Sequence, residues 1–243
     1  MRKSWVYIPW RFTNTYSVLL DGADEKINFT GISTFGPSNP FSVSFWMYPY
    51  NLDSNREIIG SGLNGWSIDT NGGAKLRIRR GNTTTGYRLT LYTANLFAVN
   101  NWYNVVVSFA TVDKANIYVH GSNVTSSITH SSFGTVTMNN TNLTIGSANI
   151  YNNYYPGRLG DIAIIPWAVN AVEAVELYNG GTELDMTKFS GWNAMKADPR
   201  SVWVTWEDDN LSSVGGRVID LINNYSGTPV NMEAEDKIII SPP

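Results

Sequence analysis

Apolar and polar residues alternate along short stretches of the chain, and turn residues separate these stretches. In FSVSFWMYP (41–49), Phe41, Val43, Phe45 and Met47 fall on one face, which is the two-residue period of a β-strand. Further segments of this kind are YRLTLYT (87–93), WYNVVVSFA (102–110) and RLGDIAIIPW (158–167). Strands at this spacing with no helices between them predict an antiparallel sandwich or barrel.

One segment breaks this pattern and predicts a helix near 170–178. Asn170 can cap its start, with Glu173 three residues on as in a capping box, and Gly180 can close its end. The apolar face that we expect to be shared comprises Val172, Val175, Leu177 and Tyr178.

The amino-acid composition argues for some classes of function and against others. Only 15% of the residues are charged, so Asn, Thr, Ser, Gly and Tyr must cover much of the surface, as in adhesive and extracellular proteins. The net charge is −3 and no basic stripe is present, which argues against a dedicated nucleic-acid-binding protein. No apolar run reaches the length of a membrane span. Cysteine is absent, which favours a bacterial or viral protein made in a reducing cytoplasm.

Five motifs in order resemble strands of the laminin-G-like and pentraxin-like domains. They are YSVLLDGADEKINF (16–29), FSVSFWMYP (41–49), NNWYNVVVSFATVDKANIYVHGSNV (100–124), LTIGSA (143–148) and GRLGDIAIIPWAVNAVEAVELYNGG (157–181). The resemblance implies an all-β fold for residues 16–182. This fold is the concanavalin-A-like jelly-roll sandwich of two antiparallel sheets, with one short helix after the last strand. Residues 1–15 are then an N-terminal arm, and we expect residues 183–243 to pack on the jelly roll.

The C-terminal segment, residues 201–243, resembles the tail of laminin-G-like proteins from tailed-phage genomes, although LINNYSG replaces the usual D-x-S-G-N. The resemblance implies a non-enzymatic structural or decoration protein on the surface of a phage particle. Its partners would be other virion proteins or copies of itself, and it could adhere to glycans. The alternatives are a lectin-like receptor-binding module and a glycoside hydrolase.

Hydrolysis by this fold requires a close pair of carboxylates. A retaining glycosidase places the two groups about 5–5.5 Å apart, and glucanases of the resembling family carry E-x-D-x-E on one strand. No predicted strand here has that motif. We therefore expect no enzyme, unless acids from separate strands converge.

Calcium is the metal that the resemblance favours, because some family members hold a structural Ca²⁺ between two segments. Here these segments carry Asp21 and Asp24 after the first strand and Asp161 in GRLGDIAI. The alternative is that Asp21 and Asp24 make only turn hydrogen bonds, and that Asp161 accepts backbone amides.

Carbohydrate binding would use aromatic rings as apolar platforms and amide side chains as paired donors and acceptors. The candidate loops are GLNGW (62–66), NLFAVNNW (95–102) and NIYNNYYP (149–156); the candidate residues are Trp66, Tyr151, Asn152, Asn153, Tyr154 and Tyr155. The alternative is that these tyrosines pack against the tail or a neighbouring subunit. In the resembling family, the positions of Trp66 and Trp102 are normally core.

The N-terminal arm contains SWVYIPW, which is aromatic and extended by a proline. Such an arm could add to a sheet edge of another chain, and Trp5, Tyr7 and Trp10 are the predicted partner-binding residues. The alternative is that the arm folds back on its own domain.

Overall fold

The computed structural model describes residues 16–32, 35, 39–53, 55–62, 65–83, 86–130, 142–147, 153–206, 211 and 216–238. At 82–83, 86–88 and 128–130 it describes the backbone alone. The statements on structure below concern these residues.

Two antiparallel sheets form the fold. The first contains β1 (Ser17–Asp21), β3 (Phe41–Pro49), β8 (Tyr103–Thr111), β9 (Lys114–Val119), β10 (Ser122–Asn123), β13 (Pro156–Ile165), β14 (Val202–Val204) and β17 (Lys237–Ile238). The second contains β2 (Lys26–Thr30), β4 (Glu57–Gly60), β5 (Trp66–Thr70), β6 (Leu76–Thr83), β7 (Gly86–Thr93), β11 (Thr125–His130), β12 (Asn142–Ile145), β15 (Val218–Ile219) and β16 (Ser226–Val230). This confirms the predicted two-sheet sandwich.

A single apolar core lies between the sheets, and alternation along the strands fills it. The predicted inward face of β3 is confirmed, because its four apolar residues belong to the core cluster together with Ile68 and Leu89 of the opposite sheet. Aromatic rings stack in this core, with 4.6 Å between the ring centres of Phe41 and Phe109.

Alternation also places an arginine among these rings. Arg80 follows Ile78 on the inward face of β6 and has no exposed surface. Its guanidinium carbon lies 4.9 Å from the centre of the Phe41 ring, and its nitrogens donate to the carbonyls of Asn39 (2.6 Å) and Thr111 (3.0 Å). Burial lowers the pKa of Arg80 to about 10, so the side chain is still charged at neutral pH.

The predicted helix is present as α1 (Ala171–Tyr178), and its capping box is confirmed. The Asn170 side chain accepts the amides of Val172 and Glu173, and the Glu173 carboxylate accepts the Asn170 amide at 2.8 Å. The predicted apolar face is partly wrong. Leu177 is buried, but Val172 is 78% exposed and Val175 is 57% exposed, because Ala174 takes the position against the sheet.

The helix packs on the outer face of the first sheet, and two serines of that face hold the segment that leads into it. Ser42 on β3 donates to the Trp167 carbonyl at 2.8 Å, and Ser108 on β8 donates to the Val169 carbonyl at 2.8 Å. A second apolar cluster forms there between α1 and the sheet, with Val106 among its members.

The expectation of one helix after the last strand is wrong on two points. A second helix, α2 (Trp192–Ala197), follows α1, and four further strands come after it. Of these, β14 pairs with β13, β16 with β2, and β17 with β1. The C-terminal segment therefore extends both sheets, and it does more than pack on them.

A buried carboxylate fixes this C-terminal segment. Asp220 has no exposed surface, and its oxygens accept the backbone amides of Trp203 (2.7 Å), Ile222 (3.1 Å) and Asn223 (2.8 Å). It therefore joins the turn after β15 to β14 of the other sheet.

Replacing Asp220 with alanine should destabilise the whole domain. Three amides would lose their acceptor in a buried place, and a buried group left without its partner costs about 1–3 kcal/mol. We expect the free energy of unfolding to fall by about 3 kcal/mol or more, measured by urea denaturation. The exposed Glu235→Ala variant is the control, and equal midpoints for the two variants would contradict this role of Asp220.

Candidate functional site

At one end of β3, the segment that leads into α1 covers the outer face of the first sheet; at the other end, this face is exposed. The outward residues of β3 run from Ser42, under the segment that leads into α1, to Tyr48 at the far end. Tyr48 is half-buried, and the next outward residue, Tyr50, is 38% exposed. The strand thus delivers two tyrosines to a part of the face that the helix does not cover.

Trp102 and Arg158 complete this surface. We call the four residues Tyr48, Tyr50, Trp102 and Arg158 the aromatic patch. The Tyr48 ring centre lies 5.7 Å from that of Tyr50, edge to face, and 5.3 Å from that of Trp102. Arg158 pairs in register with Tyr48, and its guanidinium carbon lies 5.2 Å from the Tyr48 ring centre and 5.6 Å from that of Tyr50. Trp102 and Arg158 are both half-buried.

Close backbone contacts hold the patch in place. The Tyr50 amide donates to the Pro156 carbonyl at 3.0 Å, and the Asn100 amide donates to the Pro49 carbonyl at 2.8 Å. A Cβ atom at Gly157 would lie 2.5 Å from the Tyr48 carbonyl oxygen, which no side chain permits. Glycine at 157 is therefore required for β13 to approach β3 beneath the patch.

The patch offers the two kinds of contact that a sugar ring uses. Aromatic faces and edges cover the apolar C–H side of a ring, and a guanidinium supplies several hydrogen-bond donors in a fixed plane. These residues were not predicted as a site, because Tyr48 and Arg158 lie on strands whose sequence indicates only alternation. Trp102 lies in a candidate loop but matches a position that is apolar core in the resembling family.

A second polar arrangement lies on the outer face of the other sheet. The Asp69 carboxylate accepts Nε of Arg77 at 2.9 Å and Nη2 of Arg77 at 2.8 Å, and it also pairs with Arg79. Burial raises the pKa of Asp69 and the two arginines oppose that rise. Asp69 has no exposed surface, so this cluster is closed to a ligand in this structure.

The register of this sheet brings two acids together that sequence reasoning missed. Glu57 on β4 pairs directly with Asp69 on β5, and paired residues have Cβ atoms about 4.5–5.5 Å apart. A motif on one strand cannot reveal this pair, because the two residues lie twelve positions apart on separate strands; it is the convergence of acids from separate strands that the sequence left open. Glu57 accepts the Ser147 hydroxyl at 3.1 Å and is also fully buried.

The predicted carbohydrate-binding residues separate into three groups. Trp66 and Tyr155 are wrong, because both are buried in the core between the sheets, where no ligand reaches them. Asn153 and Tyr154 are half-buried beside β4; the Asn153 carbonyl accepts the Glu57 amide at 2.7 Å. Tyr151 and Asn152 lie outside the described residues, as do the predicted partner-binding residues Trp5, Tyr7 and Trp10.

The predicted calcium ligands are not brought together as a set. Asp21 pairs with Pro156, and Asp161 is five residues further along β13, about 16 Å away at the usual rise of a strand. Asp161 instead lines a small cavity between the sheet and α1. The described residues contain no group of three side chains suited to a metal, which corrects the ligand set. Calcium at Asp21 and Asp24 stays a prediction.

Comparisons with known proteins agree with this fold. The family described as the concanavalin A-like lectin/glucanases superfamily matches residues 21–174, which is more than half of the chain. A protein from Bacteroides ovatus, whose name assigns it carbohydrate binding on a provisional basis, has a similar structure. The TM-score is 0.65 at 14% identity, over 94% of this chain and 61% of that one.

A heptameric pentraxin from Limulus polyphemus also has a similar structure, with a TM-score of 0.50 at 14% identity, over 68% of this chain and 82% of the pentraxin. No curated protein matches the sequence. In the described part of the chain, no helix is long and apolar enough to cross a membrane.

One acid near Asp21 should make stability depend on pH. Glu25 is 8% exposed, and its Oε2 accepts the Asp21 amide at 2.5 Å. Burial, with repulsion from Asp236 and Asp21, raises the pKa of Glu25 from 4.5 to about 7, although the Asp21 amide opposes the rise. A raised pKa means that the folded state favours the protonated acid. Ionisation therefore costs stability as pH rises from 4.5 to 7.

We expect Glu25→Gln to raise the melting temperature relative to the wild type more at pH 8 than at pH 4, in EDTA. Glutamine keeps an acceptor for the Asp21 amide and removes the charge. The exposed Glu235→Gln variant, which loses the same charge, should show no such trend. A Glu25→Gln effect that is equal at both pH values would contradict the raised pKa.

Proposed function

Because the chain belongs to the concanavalin A-like lectin/glucanase superfamily, we propose that this lectin domain binds carbohydrate through the aromatic patch. One observation carries the proposal: three aromatic rings and a guanidinium converge on a part of the sheet that α1 leaves uncovered. Half-exposed Tyr and Trp side chains leave rings in water unless a partner covers them.

Accessibility favours this surface over the other sheet. The polar cluster around Asp69 has the groups that bind sugars, but its acids are fully buried and already bonded. The patch, in contrast, combines exposed rings with Arg158 donors that have no bonded acceptor among the described residues. A ring of the ligand could therefore stack on Tyr50 without any rearrangement of the backbone.

We propose binding without hydrolysis. What supports this is the state of Glu57 and Asp69, the acids that face each other on the outer face of the second sheet. Both oxygens of Asp69 accept guanidinium N–H groups, so neither is available as a nucleophile or base for a substrate. Glu57 would then have no partner acid for the two-carboxylate chemistry of glycosidases.

We further propose that the domain is attached to a phage particle and lies on its surface. The support for this is the resemblance of the C-terminal segment to tails of phage proteins. The pairing of that segment with both sheets makes it part of the domain.

Removing one ring of the patch should weaken glycan binding. We would first find a bound glycan on a glycan array and then measure its affinity by titration calorimetry. We expect Tyr50→Ala and Trp102→Ala each to weaken binding about tenfold, since a factor of ten is about 1.4 kcal/mol and is within the range of one aromatic contact.

The matched control is Tyr92→Ala, which removes a half-buried tyrosine from the outer face of the other sheet. Its affinity should equal that of the wild type. Absence of any bound glycan, or a loss confined to Tyr92→Ala, would show that the patch is not the carbohydrate site.

Incubation with β-glucans should release no reducing sugar at any pH between 4 and 8. The reason is that the two guanidinium groups occupy Asp69. Release that disappears in Glu57→Gln, and persists in the exposed Glu235→Gln, would identify Glu57 as catalytic and overturn the proposal of binding alone.

A further inference from the structure

The aromatic patch carries a positive charge that stacking on a neutral sugar does not require. Arg158 contacts the faces of Tyr48 and Tyr50 but makes no hydrogen bond within the described residues, and its Nε is buried without an acceptor. No carboxylate in the described part of the chain forms an ion pair with it, whereas Arg77, Arg79 and Arg200 each have such a partner.

The acid nearest by register does not neutralise this charge. Asp21 lies two positions from the partner of Arg158 on β1, on the same face of the sheet. Its Oδ1 accepts the Ala23 amide at 2.6 Å, so it is engaged in the turn that follows the strand. Within the described part of the chain, rings contact the guanidinium and no acceptor is bonded to its donors.

We propose, on the basis of the proposed carbohydrate function, that the ligand is an acidic sugar whose carboxylate pairs with Arg158. The planar fork of an arginine matches a carboxylate through two parallel N–H···O bonds. Contact with Tyr48 and Tyr50 fixes the plane of the guanidinium before binding, so less rotamer freedom is lost when the pair forms. The same rings can cover the apolar side of the sugar that carries the carboxylate.

Other charged surfaces in the described residues do not offer this combination. The Asp69 cluster has its arginines paired within the protein, and Arg80 is enclosed in the core. Lys26 lies 5.7 Å from the Tyr154 ring centre, but only one ring is present there. Among the described residues, Arg158 alone combines two contacting rings, part exposure and no bonded acceptor.

The experiment compares acidic ligands with uncharged counterparts. Trigalacturonate and its methyl ester share the same rings, and 3′-sialyllactose and lactose differ by the acidic residue. Each is titrated into the wild type, Arg158→Gln, Arg158→Lys and the control Arg217→Gln, which removes an exposed arginine elsewhere. Melting temperatures establish that all four proteins are folded.

We expect at least one acidic member to bind the wild type about tenfold or more tightly than its uncharged counterpart, as a charge-assisted pair implies. Arg158→Gln should abolish this preference while it leaves weak binding of the neutral member. Arg158→Lys should restore only part of the preference, because an ammonium lacks the fork. Arg217→Gln should match the wild type.

Equal binding of acidic and neutral members, or a preference that survives in Arg158→Gln, would overturn this inference and leave the lectin function intact. Binding confined to sulfated or neutral glycans on the array would overturn it in the same way. Failure of every glycan to bind would instead overturn the proposed function and the inference together.

Discussion

The structure depends on the two-sided character of β3, the central strand that pairs with β8 on one side and β13 on the other. Its inward residues fill the core, and its outward residues change from serine to aromatic along the strand. Ser42, together with Ser108 of β8, holds the segment before α1, so the helix covers this end of the outer face. The tyrosines at the other end lie beyond the helix, which leaves the aromatic patch open.

Charge is used differently on the two sheets. On the second sheet, two arginines bond the buried Asp69. This arrangement stabilises the outer face of that sheet and leaves the Asp69 carboxylate inaccessible to a ligand. Breaking such a buried pair is costly because it leaves an uncompensated charge. On the first sheet, Arg158 is half-exposed, and within the described residues only ring faces contact its guanidinium. The Asp69 cluster is thus paired internally, whereas a ligand could supply an acceptor to Arg158.

The C-terminal segment determines how far the sandwich extends. By adding β14, β16 and β17 to existing strands, it covers edges that would otherwise present unpaired backbone groups to another chain. Asp220 joins this segment across both sheets, since its carboxylate binds β14 from the turn that follows β15. Edge protection and domain stability therefore depend on the same residues.

Alternation, turn residues and the capping box of Asn170 were enough to predict the antiparallel sandwich and its first helix, because these features act between neighbours in sequence. They could not give the register between distant strands. Register decides that Glu57 faces Asp69, that Arg158 lies beside Tyr48, and that Asp161 is far from Asp21. Burial is likewise a tertiary property: Trp66 and Tyr155 lie in segments that look like loops, and although the family resemblance gives a core position to Trp66, the packing of both sheets is what buries both residues.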